Sequence, residues 1–302
     1  MTFWLRPGFA LRCLARFQRI VGFDRSMALA ASALAATIPL SIISGTILAG
    51  SGHQDAAERL ISRYHLTGGG AEAVEQILAP PSEASATVGV FGALFLVISV
   101  LSFARAMQRL FEQTWELSPL SVRNTLNDLL WELGLAGYLA VTGLVYGLLG
   151  HGRLQLGAAA VEVPVTTAFL VWSGWVLSAH RITWRDLLPF GVIAGFLEGA
   201  YSMGATLYLP HLFSSSASRY GAMGAVFAML SAMFGVMLVA VGSAALGREV
   251  HDELVHIRRG ERPPDDEVRR EWNNVIDQMR LRWQSARKQI SRSRRPKEPD
   301  GP

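Results

Sequence analysis

The sequence predicts an all-α, polytopic membrane protein: a bundle of six transmembrane helices with cytoplasmic amphipathic helices at the termini. Three observations predict it. Hydrophobic residues make up 50% of the 302 and charged residues only 17%, too apolar and too charge-poor for a soluble chain of this length. Six apolar stretches, about 27–50, 84–104, 129–150, 163–179, 187–209 and 221–246, are long enough to cross a hydrocarbon core. Lys and Arg concentrate in alternate connecting segments, as the positive-inside rule requires of a multi-pass chain.

In order, the N-terminal segment 1–25 carries Ala10, Leu14, Phe17 and Val21 at helical spacing, with Arg12, Arg16 and Arg19 between them. Such an amphipathic helix suits an anionic membrane surface or a place packed beneath the bundle. Cys13, the sole cysteine, makes neither an internal disulfide nor a metal cluster and is expected to be a buried or interfacial spectator. From Ser26 to Gly52 no residue is charged. Ala33-Leu34-Ala35 imitates a signal-peptide cleavage site, but the apolar run continues from Ile38 to Leu48, so the segment reads as an uncleaved first span with a kink at Pro39.

The polar segment His53–Glu83 contains Gly68-Gly69-Gly70 and Pro80-Pro81 and reads as two short helices and a turn outside the membrane. Arg105 and Arg109 close the second span, and a polar segment follows through Asp128. The third span, from about Leu129 to Gly150, carries Gly143 and Gly147 as a small-residue pair for helix packing. A short loop with His151 and Arg153 precedes the fourth, from about Val163 to Ala179, and HRITWRD leads into the fifth.

That fifth span, LLPFGVIAGFLEGAYSMGATLYL from Leu187 to Leu209, has one acid, Glu198, at its midpoint. A carboxylate near the bilayer midplane costs a few kcal/mol, so it must face protein or water, or be protonated. Gly191, Gly195 and Gly199 recur every fourth residue, the pattern that lets helices approach closely in lipid. Seven positions separate Gly191 from Glu198, about 700° of rotation, which brings the acid to within about 20° of that glycine and hence into a helix contact. The serine-rich stretch from Pro210 to Arg219 is expected to be a loop that turns the chain back into the sixth uncharged run, Tyr220 to Gly247.

The tail 248–302 is the sizeable polar part. After Pro263-Pro264, the acids Asp265, Asp266 and Glu267 start a helix over about 265–290, with Val268, Trp272, Val275, Met279, Trp283 and Ile290 as its apolar stripe. It suits the inner leaflet, a second copy of the chain or a cytoplasmic partner, and SRSRRPKEPDGP after it reads as a disordered basic end. Across six spans the basic residues divide twenty-four to four, or ten to four without the tail, which places both termini in the cytoplasm. Only Lys288 and Lys297 are lysines, an arginine bias suited to a GC-rich bacterial genome and hence to a bacterial cytoplasmic membrane.

Four stretches now carry a resemblance: ALAASALAATIPLSIISGTIL in the first span, ARAMQRLFEQTWEL after the second, ITWRDLLPFGVIAGFLEGAYSMGATLYL through the fifth and RYGAMGAVFAML opening the sixth. Together they resemble the YihY family, also called the virulence factor BrkB family, some members of which have carried the label ribonuclease BN. The resemblance implies a six-helix inner-membrane protein of poorly defined activity. The chain departs from it in two places. Small residues around Ala31 and Ser32 stand where many members have an aromatic pair, and Gly242, Ser243 and Ala244 stand where many end the sixth span in Gly-Ala-Glu.

The nuclease label finds no chemistry here. His53, His65, His151, His180, His211, His251 and His256 show no HxH or HxxxH spacing, so no metal site and no catalytic residue is assigned. No Walker loop, dinucleotide fingerprint, nucleophile elbow or CxxC pair occurs, so no cofactor and no enzyme is expected, and nucleic acid is not an expected partner. Two readings remain. In one, a transporter or lipid-handling protein lines a polar crevice with Glu198, Tyr201 and Tyr208. In the other, a non-catalytic structural or partner-binding membrane protein buries Glu198 against a neighbouring helix while its terminal helices bind a second copy or a cytoplasmic partner. Membrane lipids are partners in both, and Arg105, Arg109, Arg181 and Arg185 read as cytoplasmic anchors at span ends.

Overall fold

The computed structural model describes residues 7–48, 57, 58, 61, 66, 68–78, 86–120, 125–149, 155–260 and 276. Among these residues the regular structure is all helical: α1 Pro7–Arg19, α2 Gly22–Leu48, α3 Gly69–Leu78, α4 Ala86–Thr114, α5 Thr125–Leu149, α6 Gln155–Leu177, α7 Trp184–Tyr220 and α8 Ala222–Arg258. Four stretches are long and apolar enough to cross a membrane, Leu94–Thr114, Leu126–Val145, Trp184–Tyr220 and Met223–Arg258, and a shorter apolar one, Val161–Leu177, lies in α6. The chain is therefore a multi-pass integral membrane protein. The run expected over 27–50 falls on α2, described as far as Leu48, and the helix expected over 265–290 lies outside the described residues apart from Ile276.

Packing follows from where small and apolar residues recur. Helix α7 lies against α8 along most of its length and against α6 on another face, while α2 contacts α8 and α4. A main core gathers Leu29, Phe103, Phe111, Trp131, Leu187, Phe190 and Val241 from α2, α4, α5, α7 and α8. At the far end a second core joins Val74 of α3 to Leu209, Phe213, Ala225 and Met229. Gly70 allows that contact, since a Cβ there would lie 3.3 Å from the Cβ of Phe213.

Several helices outrun the apolar stretches that announced them. The second apolar run was expected to close at Ala104, but α4 continues to Thr114. Met107, Leu110 and Phe111 keep one face in the core, Gln108 donates to Glu112 Oε1 at 2.8 Å, and Thr114 Oγ1 donates to Leu110 O at 2.7 Å. The chain leaves the helix through Glu116, at φ 55°. The expected loop from Pro210 to Arg219 is also helix, since α7 runs unbroken through Pro210 to Tyr220. Ser214, Ser215 and Ser218 donate their hydroxyls to the carbonyls of His211, Leu212 and Ser214, so these serines serve the helix instead of a turn. The reversal occurs in one residue, Gly221, at φ 60°, where the missing Cβ permits the left-handed backbone.

Helix α1 is docked beneath the bundle, on the end of α8. Arg12 Nη2 lies 2.6 Å from Glu253 Oε2, and Arg16 pairs with Glu249 and, at 3.0 Å, with Asp252. Arg16 also donates to Thr114 O at 3.2 Å, and Arg19 meets Glu116 at 3.2 Å, so α1 ties the end of α4 to the end of α8. The starts of α2 and α7 and the ends of α4, α6 and α8 thus gather at one end of the molecule, which Arg181–Glu112 and His251–Asp186 contacts complete.

Cys13 reports on this docking. Burial, then the nearby Glu249 carboxylate, push its thiol from the usual value near 9 up to about 12. Since the thiolate is the nucleophile, alkylation of folded protein at pH 8 should be at least about 100-fold slower than after denaturation. Equal labelling rates in the two states would show that α1 does not hold Cys13 as described.

Candidate functional site

The site begins with the glycine face of α7. Each glycine meets α6 one turn apart. A Cβ at Gly191 would lie 3.0 Å from Thr167 O, one at Gly195 would lie 2.8 Å from Val163 O, and one at Gly199 would lie 3.1 Å from Val163 Cγ2. Two of these neighbours are backbone carbonyls, so the helices touch main chain to main chain, as small-residue stripes in lipid permit. The other glycine pair behaves differently. Gly143 of α5 has nothing within 4 Å of an added Cβ among the described residues, so the packing expected of it is not made with any of them, and the surroundings of Gly147 lie outside the described residues. A period-four pair identifies a face that can pack but does not supply the partner.

Glu198 is half-buried on this same α7 segment. Its electrostatic neighbour is Glu162, on α6 one residue before Val163. Among the described residues no hydrogen-bond donor and no cation meets Glu198. Glu162 therefore brings a second carboxylate from the adjacent helix near Glu198, within the apolar part of the bundle. Such a pair attracts a proton, a small cation or water from outside the chain. Glu162 escaped the sequence reading because the fourth span was begun at Val163, whereas α6 starts at Gln155 and carries Pro164 inside it. An acid inside an apolar run, the cue used for Glu198, would have found it.

The tyrosines go elsewhere. Tyr201 donates from Oη to Ala232 O at 2.7 Å and lays its ring over Gly235, which makes it a bridge from α7 to α8. Tyr208 is 58% exposed on the outer surface of α7. Ten residues past Glu198, it has turned about 1000° and sits about 80° off the acid's face. On the outside of α6 and α7 an apolar groove of about 710 Å³ is lined by Val163, Thr167, Trp172, Trp175, Trp184 and Phe196. Glu198 does not line it.

Three of the four arginines at span ends have distinct partners among the described residues. Arg181 donates to Ser118 O at 2.6 Å and lies 3.3 Å from Glu112 Oε1, so it fastens the 117–120 loop. The guanidinium of Arg185 lies 5.2 Å from the Trp184 ring centre, a cation–π distance. Arg105 Nε is 3.9 Å from Asp128 Oδ2, and Arg109 is exposed. Asp128 and Glu132, one turn apart on α5, are two further acids that hydropathy alone passes over. Each keeps a buried oxygen without a hydrogen-bond partner among the described residues.

Compared with known proteins, the chain matches a family described as Virulence factor BrkB over residues 13–267. No curated protein and no solved structure gives a match.

Proposed function

The chain belongs to the virulence factor BrkB family, and from that premise we propose that it is a bacterial cytoplasmic-membrane transporter or lipid-handling protein, with Glu198 and Glu162 as its exchange site. The observation that carries this reading is Glu198, a half-buried acid with a second carboxylate, Glu162, near it on the adjacent helix. A structural acid at that depth is normally held by a donor or a cation, and Glu198 has neither among the described residues. Moving a proton or small cation on and off the pair, as one face of the α6–α7 contact opens to water, is the chemistry such a pair can perform. Tyr201, fixed to α8, holds α7 to the helix on its other side. The reading is non-enzymatic, with membrane lipids as partners and no nucleic acid. The division of basic residues, twenty-four to four, supports a cytoplasmic position for both termini and for the end where α1 docks.

The structural or partner-binding alternative has one observation in its favour: Gly191, Gly195 and Gly199 close-pack with α6, as a static interface would. One experiment separates the two. Carboxyl infrared bands are followed against pH for protein in lipid, alongside Glu198→Gln and Glu162→Gln. The exchange reading expects a band that titrates, is lost in Glu198→Gln and is displaced in Glu162→Gln, with melting of all three proteins alike. A carboxyl band that never responds to pH, together with normal behaviour of Glu198→Gln, would leave the structural reading.

A further inference from the structure

A cavity of about 450 Å³ opens where the first turn of α2, the last turns of α4 and the start of α5 meet, lined by Arg25, Arg105, Gln108, Arg109, Glu112 and Asp128. Its charges do not balance. Glu112 receives Gln108 at 2.8 Å, the Leu120 N–H at 2.8 Å and Arg181 at 3.3 Å, all on Oε1. Asp128 faces Arg105 at 3.9 Å. Glu132, the next acid on α5, feels the charge of Asp128 and does not line the cavity.

Arg25 and Arg109 are left without a carboxylate among the described residues, and they stand near enough to repel each other. Arg25 Nε is shut off from solvent with no acceptor. Burial first, and the Arg109 charge second, work against its protonated form. A buried guanidinium N–H with no acceptor is costly, and the nearby Arg109 charge adds repulsion, so an anion received between the two would relieve both. The space is many times the roughly 30 Å³ that one water occupies in the liquid.

We propose that this cavity is a phosphate site, in which the forks of Arg25 and Arg109 take a phosphate group carried by an anionic lipid or by a soluble molecule. Planar guanidiniums match phosphate oxygens in pairs, which a lone ammonium cannot do. The position suits a headgroup, since Arg25 stands just before the apolar run of α2 and Arg109 near the end of the apolar run of α4. The site lies on different helices from Glu162 and Glu198 and stands whether or not those acids exchange anything.

The test uses the full chain in phosphatidylcholine nanodiscs, with tryptophan fluorescence reporting thermal melting. One arm adds phosphatidylglycerol to the discs, and another adds inorganic phosphate against chloride of equal ionic strength. The wild type should melt several degrees higher in at least one arm, and the arm that responds identifies the source as lipid or soluble phosphate. Arg25→Gln with Arg109→Gln should lose that shift. Without either anion the double variant should melt no lower than the wild type, because it removes two like charges, whereas a structural role for the arginines would lower its melting. Three results each overturn the proposal: no shift of the wild type in either arm, the same shift in the double variant, or a lower melting point of that variant in phosphatidylcholine alone.

Discussion

Gly195→Leu should remove the folded protein. A Cβ at that position already lies 2.8 Å from Val163 O and presses on Thr167 Oγ1, and a carbonyl in a helix cannot swing aside as a side-chain tip can. Alanine alone should therefore cost about 1–3 kcal/mol by overpacking. Leucine must drive α7 away from α6, and with it the contacts of Gly191 and Gly199 on the same face. The proper control is Gly204→Leu, on the same helix, where nothing among the described residues lies within 4 Å of an added Cβ. Size-exclusion chromatography and thermal melting of detergent-purified protein should show a monodisperse Gly204→Leu and an aggregated or absent Gly195→Leu. Similar melting of the two would mean that the α6–α7 contact is not as close as described.

The contrast between these glycines explains how much could be read before the fold was known. Helical period and hydropathy report one helix at a time. They locate apolar runs and the shared face of Gly191, Gly195 and Glu198, and each of the six expected runs falls on a helix. They stop where an argument needs a second helix. Hydropathy ended the second run at Ala104 and the fifth at Leu209, because the turns beyond are polar. Those turns are helical because α1 and α3 pack on the bundle's two ends, so tertiary contacts overrode local composition. Glu162 was hidden by a misplaced helix start. Tyr208 was grouped with Glu198 by sequence distance when its angle puts it on another face. Arg25 and Arg109 lie 84 positions apart in the sequence, and no spacing rule could have set them at one cavity.

Arg16→Leu should have the second large effect, by undocking α1. Arg16 holds Glu249, Asp252 and the Thr114 carbonyl together, with its side chain 11% exposed and that of Glu249 8%. Removing one partner of a buried ion pair leaves the other charge desolvated, a loss of about 3–5 kcal/mol. Arg12, 3.4 Å from Glu249 Oε2, keeps part of the compensation, so the low end of that range is expected. Arg19→Leu breaks a pair whose side chains are 56% and 60% exposed and should cost no more than about 1 kcal/mol. The buried pair has a further signature. Replacing Arg16 and Glu249 together by leucine should cost less than the sum of the single changes, because neither charge is then left unpaired. Cys13 supplies a readout specific to docking. Released from burial and from Glu249, its thiol should regain the reactivity of denatured protein at pH 8 while the membrane helices stay folded. Slow labelling that persists in Arg16→Leu would place the hold on α1 in its apolar contacts instead of its arginines.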